Sequence, residues 1–344
     1  MELTLITGGS GYFGSLLLRK CLARGQACRV FDLNDAEDRP SQVEFVRGDV
    51  RDLEALKRAC AGVRVVHHNV AQVPLAKNRH LFDSVNREGT ANLLHAAHVS
   101  GVKKVIYTSS SAVYGVPTSN PVTESTPPHP EEAYGRAKLE GETLCHRASE
   151  KGLDVTIIRP RTIVGHGRLG IFQILFEWIR EGVNVPVLGD GNNRYQFVHA
   201  DDLAEACLLA AERPGSTAYN CGAERFGTMR QVLESLCCHA QTGSRIRRVP
   251  MLPAVWGMKL TGAIGLSPLG PYHAMMYGRS MFFDITKARE DLGWQPRYSN
   301  DDMFRESYDW YVKHRREVLG SVGKSPHRSP VKQGVLGIVK LFLK

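Results

Sequence analysis

No apolar run in this 344-residue chain approaches the roughly 20 residues needed to span a bilayer. The start also lacks the basic stretch and long apolar segment of a secretory signal. It opens instead on a strand-like Glu2-Leu3-Thr4-Leu5-Ile6-Thr7, so a cytoplasmic protein is expected. Cys21, Cys28, Cys60, Cys145, Cys207, Cys221, Cys237 and Cys238 include no C-x-x-C spacing, and the chain is too long to need covalent staples, so they read as reduced thiols. Zinc-finger spacing, an RNP-like aromatic strand and a recognition-helix pattern are all missing, which excludes sequence-specific nucleic-acid binding. Internal repeats are absent, and 33 Gly with 17 Pro excludes collagen-like and low-complexity classes. The adjacent His67 and His68, and His95 with His98, lie in apolar contexts. They read as packed or capping histidines, and no metal site is expected.

What is present describes a globular protein: 42% of residues are hydrophobic and 23% charged. Lys and Arg number 44 against 35 Asp and Glu, a net charge of +9 that favours an anionic partner such as a phosphorylated substrate or a membrane surface. Short apolar runs at 3–7, 43–46, 63–67, 104–108 and 155–159 alternate with helix-length periodic segments at 14–24, 53–60, 82–98 and 134–151. That alternation predicts an α/β fold, a doubly wound parallel sheet covered by helices on both faces. Beyond Arg159 the pattern loosens into Gly/Pro-punctuated chain with helices at 171–181, 200–212 and 228–240. The expected organisation is a cofactor domain over 1–170, a smaller C-terminal substrate lobe over 171–312 with some interleaving, and a basic linker and tail over 313–344.

Chemistry enters with Thr7-Gly8-Gly9-Ser10-Gly11-Tyr12-Phe13-Gly14, set between the first strand and the first helix. Gly8 permits the tight turn, Gly11 lets backbone approach a pyrophosphate, and Gly14 allows close helix–strand packing, while the helix N-terminus attracts phosphate charge. Asp32 ends the next strand about twenty residues on, where a carboxylate accepts hydrogen bonds from a ribose 2′-OH and repels a 2′-phosphate. NAD is therefore expected over NADP. Gly48-Asp49-Val50 follows a further strand and offers Asp49 to an adenine amino group.

A second motif is Tyr134-Gly135-Arg136-Ala137-Lys138, preceded by Thr108-Ser109-Ser110-Ser111-Ala112-Val113-Tyr114-Gly115. Tyr134 and Lys138, four apart on a helix, share a face, so the ammonium is placed to lower the phenol pKa from its usual value of about 10.

Taken with Asn86-x-x-Gly89-Thr90-x-Asn92, these motifs make residues 1–312 resemble the extended short-chain dehydrogenase/reductase family, its NAD-dependent epimerase/dehydratase group. The resemblance implies a Rossmann fold. It also implies Ser110 as the hydroxyl that orients the substrate oxygen, Tyr134 as general acid/base and Lys138 as its electrostatic helper. Val70, Ala71, Asn86 and Thr108 would lie along the cofactor beside Gly8, Gly11, Tyr12, Phe13, Gly14, Asp32, Asp49 and Val50. The implied reaction is hydride exchange between a secondary carbinol and the nicotinamide. Helices 82–98 and 134–151 resemble the pair that forms a dimer interface in relatives, so a homodimer is expected. A non-enzymatic variant is disfavoured because Ser110, Tyr134 and Lys138 are all present.

Family branches differ at particular positions. The 4,6-dehydratases carry an Asp-Glu pair just after the hydroxyl residue, where this chain has Ser111 and Ala112. The run instead resembles nucleotide-sugar 4-epimerases, as do Leu188-Gly189-Asp190-Gly191 and Phe197-Val198-His199. Two positions depart: the diphosphate-clamping Arg is off register, with Arg194 one residue upstream and Tyr195 in its place, and Thr162 replaces the usual Asn. Arg279, in a terminal motif that also resembles 3β-hydroxysteroid and sterol-carboxylate dehydrogenases, is a further candidate for phosphate. The leading expectation is a nucleotide-sugar epimerase with Thr162, Arg194 and Arg279 at the substrate. The alternative is a sterol or lipid alcohol dehydrogenase using 256–269 and the tail. In that tail, residues 331–344 place apolar side chains at helical steps with lysines opposite, fit for a headgroup layer or for docking on a protein surface.

Overall fold

The computed structural model describes residues 2–71, 82–168, 171–253, 256–257, 276, 278–320, 340 and 343. Alternation of apolar residues in the short strands decides the architecture. In β1 (Leu3–Thr7), β2 (Ala27–Asp32), β5 (Lys104–Thr108) and β6 (Val155–Pro160), consecutive residues point to opposite faces. Ile6, Val30, Ile106 and Ile158 enter one core, whereas Leu5, Phe31, Val105 and Ile157 enter another. Both faces are thus buried, the signature of a parallel sheet.

With β3 (Glu44–Arg47), β4 (Val63–His68) and β10 (Thr217–Cys221), the strands make a seven-stranded sheet in the order β10-β6-β5-β4-β1-β2-β3. Every pairing in it is parallel. The first face is covered by α1 (Tyr12–Ala23) and α6 (Ala200–Glu212), the second by α2 (Leu53–Cys60), α3 (Gly89–Val99) and α4 (Ala133–Glu150). Strand order reverses between β1 and β4, so a crevice opens at their C-terminal ends, the place where such sheets bind ligands.

A third core joins α5 (Ile171–Arg180), α7 (Met229–Ala240), β8 (Val185–Leu188) and β9 (Phe197–His199), with Phe172, Phe176, Phe197, Leu236 and Phe304 at its centre. Two small parallel ladders complete it: β7 (Thr162–Val164) with β9, and β11 (Ile246–Val249) with β8. Nearer the C-terminus, the short α8 (Thr286–Leu292) buries Ala288 in the first core. Among the described residues no helix is long and apolar enough to cross a membrane.

Three expectations are corrected. Residues 313–320 are not linker: α9 (Asn300–Gly320) runs through them because Tyr311 and Arg315 both reach the Glu177 carboxylate, at 2.8 and 2.7 Å, and Val318 is buried. The 82–98 segment is not one regular helix, since Phe82–Glu88 forms a wider π-turn before α3 begins. His95 and His98 are not packed but lie exposed on the outer side of α3. Of the 331–344 tail, Lys340 and Leu343 are described and both meet the protein itself. Lys340 pairs with Glu181 at 2.6 Å, and Leu343 packs by Trp178 while its carbonyl accepts from Asn184. The rest of the tail, and 256–269 apart from residues 256 and 257, fall outside the described residues. All eight cysteines are free.

Candidate active site

The glycine loop closes tightly on itself. Gly8 has φ +70°, a conformation that disfavours a side chain, and its N–H donates to the Phe31 carbonyl at 2.9 Å. A Cβ on Gly14 would stand 2.1 Å from the Gly8 carbonyl oxygen, so only glycine lets α1 start so near β1. Tyr12 and Phe13 open that helix. Asp32 accepts the Ser10 N–H at 3.1 Å, and burial pushes its carboxyl above the usual range against that hydrogen bond. Ser10 Oγ is buried without a hydrogen-bond partner. Loop, carboxylate and orphan hydroxyl fit a dinucleotide whose ribose and phosphate oxygens accept and donate there.

The opposite wall comes from β4 and the residues after it. Val70 N lies 3.2 Å from where a Gly8 Cβ would be, and Asn69 accepts the Thr108 hydroxyl at 2.7 Å. Ala71 ends this described stretch. Asn86 is buried in the π-turn, its carbonyl accepting from Thr90 Oγ1. Val50 is buried against Gly89. Asp49 is turned to Arg51, whose Nη2 is 2.5 Å from its carboxylate, which holds the Asp49 carboxyl below its usual value.

Helix α4 delivers the tyrosine and lysine. Glu132 caps it, its carboxylate accepting the backbone N–H groups of Tyr134 (2.8 Å) and Gly135 (2.6 Å). A Cβ on Gly135 would meet the Ala112 carbonyl at 2.4 Å, so the helix presses directly onto the turn Ser111–Tyr114. Ser110 caps that turn, accepting the Ala112 N–H at 3.2 Å, and its hydroxyl lies near enough to Tyr134 to favour ionisation of the phenol. Burial drives the Tyr134 phenol up to about 12, while Ser110 and the Arg168 charge pull it back. Lys138 is buried, donates to the Thr108 carbonyl at 2.7 Å and stands 4.9 Å over the Tyr107 ring. Burial brings its ammonium down to about 8.

The sequence reading missed the support beneath these groups. Glu142, one turn past Lys138, makes a bidentate ion pair with Arg159 (2.9 and 2.6 Å) and accepts the Ser109 hydroxyl. Arg159 also reaches Tyr114 OH at 2.7 Å, which donates on to Asn220. The (i, i+4) step from Lys138 to Glu142 was the available signal. His68 links Thr7 (2.7 Å) to Thr90 (3.2 Å) across the crevice.

The proposed substrate residues do not gather in one place. Thr162 Oγ1 lies 3.2 Å from Tyr195 OH. Arg194 is exposed, its guanidinium lying against the Phe226–Phe282 pair, 5.0 and 4.4 Å from the ring centres, which are themselves 5.2 Å apart. Arg279, also exposed, is held near it through Asn193, which donates to the Arg279 carbonyl. Arg161, which the sequence reading passed over, is buried against Tyr195 and Phe283. Among the described residues, no group of three or more His, Cys, Asp or Glu could hold a metal ion.

A family model, the NAD dependent epimerase/dehydratase family, matches residues 4–222. The chain belongs to that family. It is an enzyme of the extended short-chain dehydrogenase/reductase type. It is 52% identical over its whole length to the uncharacterized protein y4nG of Sinorhizobium fredii, covering 87% of that protein. With a UDP-glucose 4-epimerase of Mycolicibacterium smegmatis identity is 30%, over 90% of this chain and 98% of the relative. A human sterol-4-alpha-carboxylate 3-dehydrogenase, decarboxylating, is 29% identical over 91% and 89%. Among solved structures, the Thermotoga maritima UDP-glucose 4-epimerase with UDP-glucose aligns with TM-score 0.77 and 25% identity, over 91% of this chain and 99% of that one.

Proposed function

We propose that this member of the epimerase/dehydratase family is an NAD-dependent enzyme that oxidises a secondary alcohol of a nucleotide sugar and returns the hydride, in the manner of a 4-epimerase. The observation that carries this reading is the packing of α4 at Gly135 onto the turn that Ser110 caps, which brings Tyr134 and the buried Lys138 to that turn, with Ser111 and Ala112 offering no extra acid or base for eliminating water. Gly8, Gly11, Tyr12, Phe13 and Gly14 would hold the pyrophosphate, Asp32 the adenosine ribose, and Val70, Ala71, Asn86 and Thr108 the length of the dinucleotide. NAD, when bound, supplies the hydride acceptor. Tyr134 takes the hydroxyl proton from the substrate and gives it back, Ser110 fixes the substrate oxygen, and Lys138 favours the phenolate. The Asp32 carboxylate favours NAD over NADP through repulsion of a 2′-phosphate. Arg194 and Arg279, two exposed cations whose backbones are joined through Asn193, suit the diphosphate, and Thr162 the sugar.

A second reading, a sterol or lipid alcohol dehydrogenase, is favoured by Tyr195 and Thr162, which stand where the nucleotide-sugar pattern has Arg and Asn. The two described tail residues dock on the protein's own surface, which supports a structural rather than a membrane role for that segment. The homodimer expected through α3 and α4 is part of the proposal. The test is stoichiometric: protein loaded with NAD is mixed with UDP-glucose, and absorbance at 340 nm is followed. A transient rise that Tyr134→Phe abolishes supports the reading. A rise with a 3β-hydroxysterol and none with UDP-glucose replaces it by the second.

A further inference from the structure

Residues 165–168, the loop after β7, pass between Tyr12 and the C-terminal helix α9. The loop closes on itself where the Arg168 N–H donates to the Gly165 carbonyl at 3.1 Å. On one side it covers Tyr12: a Cβ on Gly165 would lie 2.7 Å from Tyr12 OH, and the Arg168 guanidinium sits 5.4 Å from the centre of the Tyr12 ring. On the other side it meets α9, where Glu306 and Trp310, one turn apart, share a face. His166 pairs with Glu306 at 2.7 Å. Gly167 touches both sides, since a Cβ there would lie 3.5 Å from the Trp310 indole and 4.0 Å from the Tyr12 ring.

A buried imidazole lies beside this loop. His199, stacked on Tyr298 with ring centres 3.8 Å apart, accepts the Asp201 N–H on Nδ1 at 3.2 Å, so the neutral ring carries its proton on Nε2. That nitrogen is buried without a hydrogen-bond partner, 3.4 Å from where a Gly165 Cβ would be and 3.9 Å from Oε2 of Glu306. Glu306 therefore serves two imidazoles, His166 and His199, and among the described residues it has no other ion-pair partner. Glu306 and Trp310 both lie beyond the 4–222 span matched by the family model. Tyr12 is the first residue of α1, so the loop that covers it also steadies the helix N-terminus against which a pyrophosphate would rest. A site held in its binding conformation loses less freedom on binding, and such gains show mainly as slower dissociation.

We propose that α9 clamps the 165–168 loop over Tyr12 through Glu306 and Trp310 and thereby slows release of the dinucleotide, with Glu306 a positioning residue that acts through His166. Retention suits an enzyme that returns its hydride to the same substrate, and the inference rests on the reading of the glycine loop as the cofactor site. The test follows NADH dissociation by stopped flow. Protein loaded with NADH is mixed with excess NAD, and the decay of the enhanced NADH fluorescence gives the rate. Glu306→Ala and His166→Ala are each expected to raise that rate by about fivefold, the scale a half-exposed ion pair supports, and the double variant to raise it no further. Glu306→Gln, whose amide oxygen still accepts from His166, should restore most of the slow rate. Trp310→Ala, which frees Gly167 from the α9 side, should also quicken release. Unchanged release in Glu306→Ala, His166→Ala and Trp310→Ala overturns the proposal even where their urea midpoints fall, because that pattern is a purely structural role. A double variant in which the Glu306 and His166 effects multiply overturns it as well. If the wild-type protein takes up no NADH, the cofactor reading fails and the clamp with it, whereas NADH binding with unmoved release rates overturns the clamp alone.

Discussion

A phenol shielded from water gives up its proton reluctantly, so in the proposed acid/base role Tyr134, driven up to about 12, would need help from Ser110, Lys138 and a cofactor to work near neutrality. Replacing Tyr134 with Phe is expected to lower kcat by about 10² to 10⁴-fold while leaving NAD affinity, measured by fluorescence titration, within a factor of a few. Glu142 sits deeper and carries structure. Its pair with Arg159 is almost wholly excluded from solvent, with side-chain exposures of 1% and 6%. Glu142→Ala strands the Arg159 charge and is expected to cost about 3–5 kcal/mol in urea unfolding. A loss below about 1 kcal/mol would contradict that. At this scale the placement of Tyr134 and Lys138 on one helix was legible because the four-residue spacing is itself a helical step. Glu142 and Arg159 were not, because each takes its meaning from a partner distant in sequence.

Close approach between elements sets the geometry. The α4 helix meets the Ser111–Tyr114 turn at Gly135 and the β5 strand at Gly141, where a Cβ would be 2.1 Å from Tyr107 OH. Gly135→Ala should push the helix off the Ala112 carbonyl and part Tyr134 from Ser110. The expected result is a kcat loss of about tenfold or more with a folded far-UV spectrum, and unchanged kcat would refute this packing role. The strands were readable as short apolar runs and most helices from three-to-four-residue spacing, as at Leu3–Thr7, Lys104–Thr108 and Leu53–Cys60. The end of α9 was hidden because its 313–320 stretch is basic and polar, and what keeps it helical is Glu177 on another helix. The π-turn before α3 was hidden too, since its apolar spacing reads as ordinary helix.

For the whole molecule, the buried histidines give stability a pH dependence of definite sign. Burial holds His67 and His199 down to about 4, and burial with the nearby Lys138 charge holds His68 to about 3. Unfolded, each titrates near 6.5, so below that pH the unfolded chain binds more protons and the native state loses ground until the folded values are reached. Unfolding free energy should therefore fall between pH 6.5 and 4, by about 3 kcal/mol for His67 alone. Equal urea midpoints at pH 7.5 and 4.5 would contradict this. The doubly wound sheet was visible in the sequence, whereas the substrate was not: Thr162 and Tyr195 replace the residues that would mark it, and Arg194 and Arg279 stand exposed on the surface. The most direct test of the central claim is proton NMR of UDP-galactose incubated with NAD-loaded protein. Conversion to UDP-glucose without accumulation of NADH is the predicted result. Unchanged UDP-galactose in the presence of fully bound NAD would contradict it.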